Sequence, residues 1–78
     1  MRVTNVRIRR RQVGNREFDS ITITLCDLHL SCDLMDDRQI KNARKLADEH
    51  GAWFEYDEAN AERVRSVLGI SATKEQAP

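Results

Sequence analysis

The arginines near the N-terminus are the residues of this chain with the clearest chemical potential. Six arginines and no acidic residue occupy the first 16 positions. Five of them lie in the stretch VRIRRRQVGNREF, at Arg7, Arg9, Arg10, Arg11 and Arg16. Planar guanidinium groups donate paired hydrogen bonds to phosphates and carboxylates. The stretch therefore predicts a binding surface for an anionic partner, although arginines on an edge strand also protect it from aggregation.

Cysteine and histidine form a second group of candidate residues. Cys26, His29 and Cys32 have C-x2-H-x2-C spacing, and His50 follows later in the chain. A zinc site needs such ligands to converge tetrahedrally, but on one continuous strand His29 would point away from both cysteines. We predict no metal, no cofactor and no disulfide. We interpret the two cysteines as small apolar side chains that pack in or beside the core.

Neither the acidic pairs nor the glycines indicate a catalytic site. Asp36-Asp37 and Asp57-Glu58 stand where the N-termini of predicted helices favour negative charge. The three glycines occupy predicted turn or cap positions, and no phosphate-binding loop or nucleophile motif occurs. We therefore predict that the protein is not an enzyme.

The segment AWFEY at 52–56 supplies the last candidate. Trp53 alternates with Phe54 and Tyr56, so it points to the opposite side of a short predicted strand. An exposed tryptophan can stack on nucleic-acid bases or anchor a protein partner, whereas aromatic residues in such a strand are often core. The candidate binding residues are thus Arg7, Arg9, Arg10, Arg11, Arg16 and Trp53.

The first predicted strand, over 2–12, divides the arginines between two faces. Because side chains alternate along a strand, Arg7, Arg9 and Arg11 share one face, and Arg10 points with the apolar residues to the other. The three aligned arginines would form a row on an exposed sheet face. The acid-rich stretch that follows contains no lysine or arginine before position 38, and it can neutralise part of this row across paired strands.

Two turns follow from local patterns. Gly14 and Asn15 predict a tight hairpin between the first strand and FDSITITLC. The apolar positions then change from odd to even numbers near Cys26 and Asp27, which requires a turn or a bulge. We favour a turn that makes LHLSCDL a third strand. A single long bulged strand is the alternative.

Helical spacing of apolar residues predicts two helices separated by AWFEY. The first, DDRQIKNARKLADEHG, begins with Asp36 or Asp37 as its N-cap and ends at Gly51. Asp57 caps the second helix, which ends at Gly69.

The element order is therefore β-β-β-α-β-α. It predicts a small α+β domain, with a mixed or antiparallel sheet of three or four strands and two helices packed on one face. The connection through the first helix is right-handed if the third and fourth strands pair in parallel. Residues 1–70 form this domain, with Ile70 folded back on the cap, and residues 71–78 form a flexible tail.

Composition excludes several classes of protein. The 13 basic and 13 acidic residues cancel, which argues against a polybasic protein, although the charges are segregated along the chain. No apolar run reaches the length of a membrane span, and no signal-peptide core is present. Because the chain has two cysteines and no secretion signal, we expect a cytoplasmic protein with reduced thiols.

The opening MRVTNVRIRR, followed by SITITL, resembles the start of the SpoVG-like septation regulators, small bacterial DNA-binding proteins. The N-terminal strands of that family carry a similar Val-Thr-x-Val-Arg-x-Arg-Arg pattern. The resemblance covers the first third of the chain and implies nucleic-acid binding. The remainder, ARKLADEHGAWFEYDEANAERVRSVLG, does not match the family, and we transfer no residue roles from it.

These observations lead us to expect a small non-enzymatic protein-interaction module, an inhibitor or adaptor that occludes a protein partner. Compact phage-type inhibitors such as anti-CRISPR proteins have this kind of profile, an analogy that rests on size alone. The alternative is a nucleic-acid-binding regulator that uses the arginine-rich hairpin. A homodimer through the open sheet face or an edge strand would compete for the same surface.

Overall fold

A computed structural model describes residues 2–69, which form six elements in the predicted order. They are β1 (Val3–Val13), β2 (Arg16–Leu25), β3 (Leu28–Asp33), α1 (Asp37–His50), β4 (Trp53–Tyr56) and α2 (Glu58–Leu68). The predicted α+β fold is confirmed, with a mixed four-stranded sheet in the order β3-β2-β1-β4. Met1, Ile70 and the predicted tail over 71–78 lie outside the described residues.

β1 is the inner strand that connects the two halves of the sheet. It pairs antiparallel with β2 on one side and parallel with β4 on the other. The third and fourth strands, for which we considered parallel pairing, lie at opposite edges instead. Because β3 and β4 are separated by the other two strands, the chain between them crosses over β2 and β1 by way of α1.

Both hairpins turn through two residues. The change of parity near Cys26 and Asp27 is the predicted turn, since β2 ends at Leu25 and β3 begins at Leu28. Gly14 begins the first turn at φ 61°, and Cys26 begins the second at φ 56°. Within residues 2–69, Cys26 is the one non-glycine residue with positive φ, a conformation in which a Cβ atom is strained.

One apolar core lies between the sheet and the two helices, which pack on the same face as predicted. A register shift between Val3 and Asn5 brings Val3 to the side of Val6, so both enter the core. The buried apolar residues come from every element except β3: Val3, Val6, Ile8, Ile21, Leu34, Ile40, Ala43, Ala47, Phe54, Tyr56, Ala61 and Val64, with Leu34 just after that strand.

The predicted caps define both helices. Asp36 is the N-cap of α1, and Gln39 completes a capping box with it. Asp57 caps α2, and the helices end at the left-handed glycines Gly51 and Gly69. In the described part of the chain, no helix is long and apolar enough to cross a membrane.

Both cysteines are free and exposed, so the prediction that they pack in or beside the core is wrong. Cys26 lies in a turn, and Cys32 lies on β3, whose six residues are all exposed. Leu28 and Leu30 share the side of Cys32, yet they are 50% and 49% exposed. The physical reason is that α1 packs against β1 and β4, which leaves the edge strand β3 uncovered.

Replacing Cys26 by glycine should stabilise the fold, because glycine adopts positive φ without a strained Cβ. We expect Cys26→Gly to raise the free energy of unfolding by about 0.5–1 kcal/mol, measured by urea denaturation. Cys26→Ala keeps the Cβ and removes only the exposed thiol, so this control should not share the gain. Equal stability of the two variants would contradict the strain at this turn.

Candidate functional site

No described element covers the sheet surface opposite the helices, which we call the open face. Residues paired across strands point to the same side, so the register assigns its members. They are Asn5, Arg7, Arg9, Arg11 and Val13 of β1; Arg16, Phe18, Ser20, Thr22 and Thr24 of β2; His29, Ser31 and Asp33 of β3; and Trp53 and Glu55 of β4.

Arg7 is already paired within the open face. Its Nε donates a hydrogen bond to Oε1 of Glu55 at 2.6 Å, and Asn5 Nδ2 donates to Oε2 of the same carboxylate at 3.2 Å. A docking partner would therefore meet Arg7 as part of a neutral pair. The neutralising acid comes from β4, not from the acid-rich strand β2.

Arg9 and Arg11 are the unpaired cations of the row. Their cross-strand neighbours on β2 are Ser20 and Phe18, and neither carries a charge. Both arginines are exposed, and they form no ion pair with any residue between 2 and 69. Their guanidinium groups are therefore free to bind an anion.

A polar concavity of about 290 Å³ lies beside Arg9. Hydrogen bonds between β2 and β3 fix its floor. Thr24 Oγ1 lies 3.1 Å from Nδ1 of His29, and Thr22 Oγ1 lies 2.9 Å from Oγ of Ser31. The open face thus places ordered hydroxyl groups next to a free guanidinium. The lining residues are Asn5, Arg7, Arg9, Thr22, Thr24 and His29.

Trp53 shares the open face with the arginines. It pairs with Asn5 on β1, and 44% of its surface is exposed. Phe54 and Tyr56 are buried on the helix side, with ring centroids 6.0 Å apart. The short strand therefore presents its indole to solvent and contributes its other two rings to the core.

The tip of the β1–β2 hairpin projects beyond the other strands. Pairing of β1 with β4 ends at Ile8, and pairing of β2 with β3 ends at Ser20. Residues 11–13 and 16–18 consequently pair only with each other, and we call them the ribbon. Arg11 and Arg16 lie in the ribbon, so a partner can reach them without approaching the core.

Arg10 points to the helix side and does not belong to the row. Its Nε donates to Oδ1 of Asp19 at 3.0 Å, and its backbone N–H donates to Oδ2 of Asp57 at 2.7 Å. The hydrogen bond and the charge of Asp19 raise the pKa of Arg10, so its guanidinium stays protonated. These contacts connect the hairpin to the start of α2.

Asn60, which was not among our candidates, completes this junction. It is 1% exposed, and its Nδ2 donates to Oδ1 of Asp57 at 2.9 Å and to Oδ1 of Asp19 at 3.3 Å. A buried amide needs such partners. The available signal was helical spacing, because Asn60 lies four positions before the buried Val64 on the apolar stripe.

The cysteine and histidine residues weighed as candidate metal ligands do not converge. His29 and Cys32 lie on opposite sides of β3, and Nδ1 of His50 accepts a hydrogen bond from the backbone N–H of Val3. Among residues 2–69, no three His, Cys, Asp or Glu side chains are grouped to hold a metal ion.

Comparisons of this chain with protein-family models, with curated proteins and with solved structures found no match.

Replacing Asn60 should weaken the junction between the hairpin and α2. We expect Asn60→Ala to lower the free energy of unfolding by about 2 kcal/mol, because two carboxylates lose a buried donor. Urea denaturation measures the change, and Asn42→Ala at an exposed position of α1 is the matched control. A loss no larger than that of the control would contradict this role.

Proposed function

We propose that this chain is a non-enzymatic protein-binding module whose open face docks on an acidic surface of a partner. By covering that surface, the module acts as an inhibitor or adaptor. The observation that carries the proposal is an uncovered sheet face that combines the exposed Trp53 with the unpaired Arg9 and Arg11. Tryptophan and arginine are enriched in protein interfaces and lysine is depleted, and the open face contains no lysine.

The charge balance supports a protein partner over a nucleic acid. The open face holds four arginines against the carboxylates of Asp33 and Glu55, and one arginine is already neutralised by Glu55. Binding to nucleic acid depends on neutralising several phosphates at once. A face with few free cations and many hydroxyl groups is better suited to the mixed polar and apolar surface of a protein.

Different side chains of the open face would make different contacts with the partner. Trp53 supplies a large rigid side chain that can fill a pocket of the partner. Arg9 and Arg11 can each form paired hydrogen bonds with a carboxylate. Because these side chains lie on paired strands rather than on loops, little backbone ordering accompanies binding.

Reversing the two unpaired charges of the arginine row should strongly reduce partner capture. We expect Arg9→Glu combined with Arg11→Glu to reduce recovery of the partner from a native lysate at least about tenfold, measured by quantitative mass spectrometry. The matched control reverses Lys41 and Lys45 on the exposed side of α1, so it changes the net charge equally. The control should retain the partner. Equal capture by both double variants would refute docking through the open face.

A nucleic-acid-binding regulator is the second candidate, because the Trp53 indole beside guanidinium groups can stack on bases. Fluorescence anisotropy with labelled single- and double-stranded DNA and with RNA separates the two candidates. For a protein-binding module, we expect dissociation constants weaker than about 10 μM at low salt. Tight binding that falls steeply with salt, and that the Arg9 and Arg11 reversals abolish, would establish the second candidate instead.

A further inference from the structure

We propose that the outer edge of β3 pairs with β3 of a second copy of this chain. The product is a two-fold dimer in which four strands from each copy form one continuous sheet. The proposal does not depend on the function of the open face, because it uses the outer edge of β3 and needs none of Arg9, Arg11 and Trp53.

β3 lacks the features that normally block an edge strand. Its sequence, LHLSCD, contains no proline and no lysine, and its pairing with β2 is regular from Leu25–Leu28 to Ser20–Asp33. Natural sheets protect long edges with such residues or with bulges. At the other edge of the sheet, β4 has only four residues.

Alternate residues of β3 direct their backbone groups outwards. The backbone N–H of Leu34 donates to the carbonyl oxygen of Asp19 at 2.8 Å. Because hydrogen-bonded pairs alternate along an antiparallel ladder, even-numbered residues of β3 bond to β2. The N–H and C=O groups of His29, Ser31 and Asp33 therefore point to the open edge.

The polar side chains on β3 favour one register for the second copy. When the two-fold axis passes through Ser31, each serine lies opposite its copy and His29 lies opposite Asp33. All three outward-pointing residues then pair, and each imidazole meets a carboxylate. A register centred on Leu30 instead pairs His29 with Ser31 and leaves Asp33 beyond the end of β3 in the second copy, so fewer backbone groups pair and the imidazole has no carboxylate opposite.

The helix side of the same edge is apolar. In the register centred on Ser31, Leu30 lies opposite Cys32 of the second copy. Two leucines of β3 are about half exposed in the single chain, Leu28 at 50% and Leu30 at 49%. A groove of about 180 Å³ adjoins them between β2 and α1. Covering this surface removes apolar area from water, which favours association. The groove is lined by Ile21, Ile23, Cys32, Gln39, Asn42, Ala43 and Leu46.

The dimer leaves the open face accessible. A two-fold axis perpendicular to a continuous sheet keeps both open faces on the same side. Each copy therefore presents Arg9, Arg11 and Trp53 in the same direction, and the dimer does not compete with the docking proposed above.

Substitutions in the His29–Asp33 pair test the register. His29→Glu opposes two carboxylates, and Asp33→Lys removes the carboxylate that faces the imidazole. We expect each single variant to raise the dissociation constant of the dimer about tenfold, measured by analytical ultracentrifugation of the full chain. The double variant places a lysine opposite a glutamate and should return the constant to within about threefold of the original.

Amide hydrogen exchange on the same samples locates the contact. The N–H groups of His29, Ser31 and Asp33 should gain protection as protein concentration rises. Those of Leu30 and Cys32 bond to β2 and should be protected at every concentration.

Three results would overturn the proposal. The first is a chain that stays monomeric at millimolar concentration, and the second is a dimer that does not respond to either single variant. The third is a double variant that remains as weak as the single ones, because the predicted register would then be wrong. A chain whose β3 edge binds an extended peptide but never a second copy would also be monomeric, and it would overturn the proposal in the same way.

Discussion

The alternation of side chains along β1 is the constraint on which the rest of the structure depends. This strand bonds to neighbours on both sides, so Val6 and Ile8 are fully buried while Arg7 and Arg9 face away from the helices. A shift of one residue would bury guanidinium groups without partners, which is far less favourable than burying branched aliphatic side chains. The core and the open face are two results of one register.

Individual helices, strands and turns could be predicted from local sequence signals. Which strands lie side by side in the sheet could not. Capping residues such as Asp36 and Gly51 act within one turn of helix, and alternation in SITITL is visible in a few positions. The position of β4 beside β1 depends on contacts between distant residues that no local pattern reveals. For that reason we could not foresee that β3 would become an uncovered edge, and we misplaced Cys32.

In the candidate site, too, the local pattern could be predicted from the sequence and the tertiary contacts could not. Strand parity predicted that Arg7, Arg9 and Arg11 share a face and that Arg10 does not. The charge state of the surface follows instead from tertiary partners: Glu55 neutralises Arg7, and Arg9 remains free because its cross-strand neighbour is a serine. A cluster of arginines in sequence is therefore not equivalent to a cluster of free cations on a surface.

The parallel pairing of β1 with β4 governs the order in which the chain assembles. The two hairpins join segments that are adjacent in sequence, whereas Arg7 and Glu55 are separated by 48 positions. Closing such a long loop is entropically unfavourable, so we expect β4 to dock after the hairpins have formed. Trp53 then joins the arginines only when folding is complete. Incompletely synthesised or partly unfolded chains therefore lack the full open face.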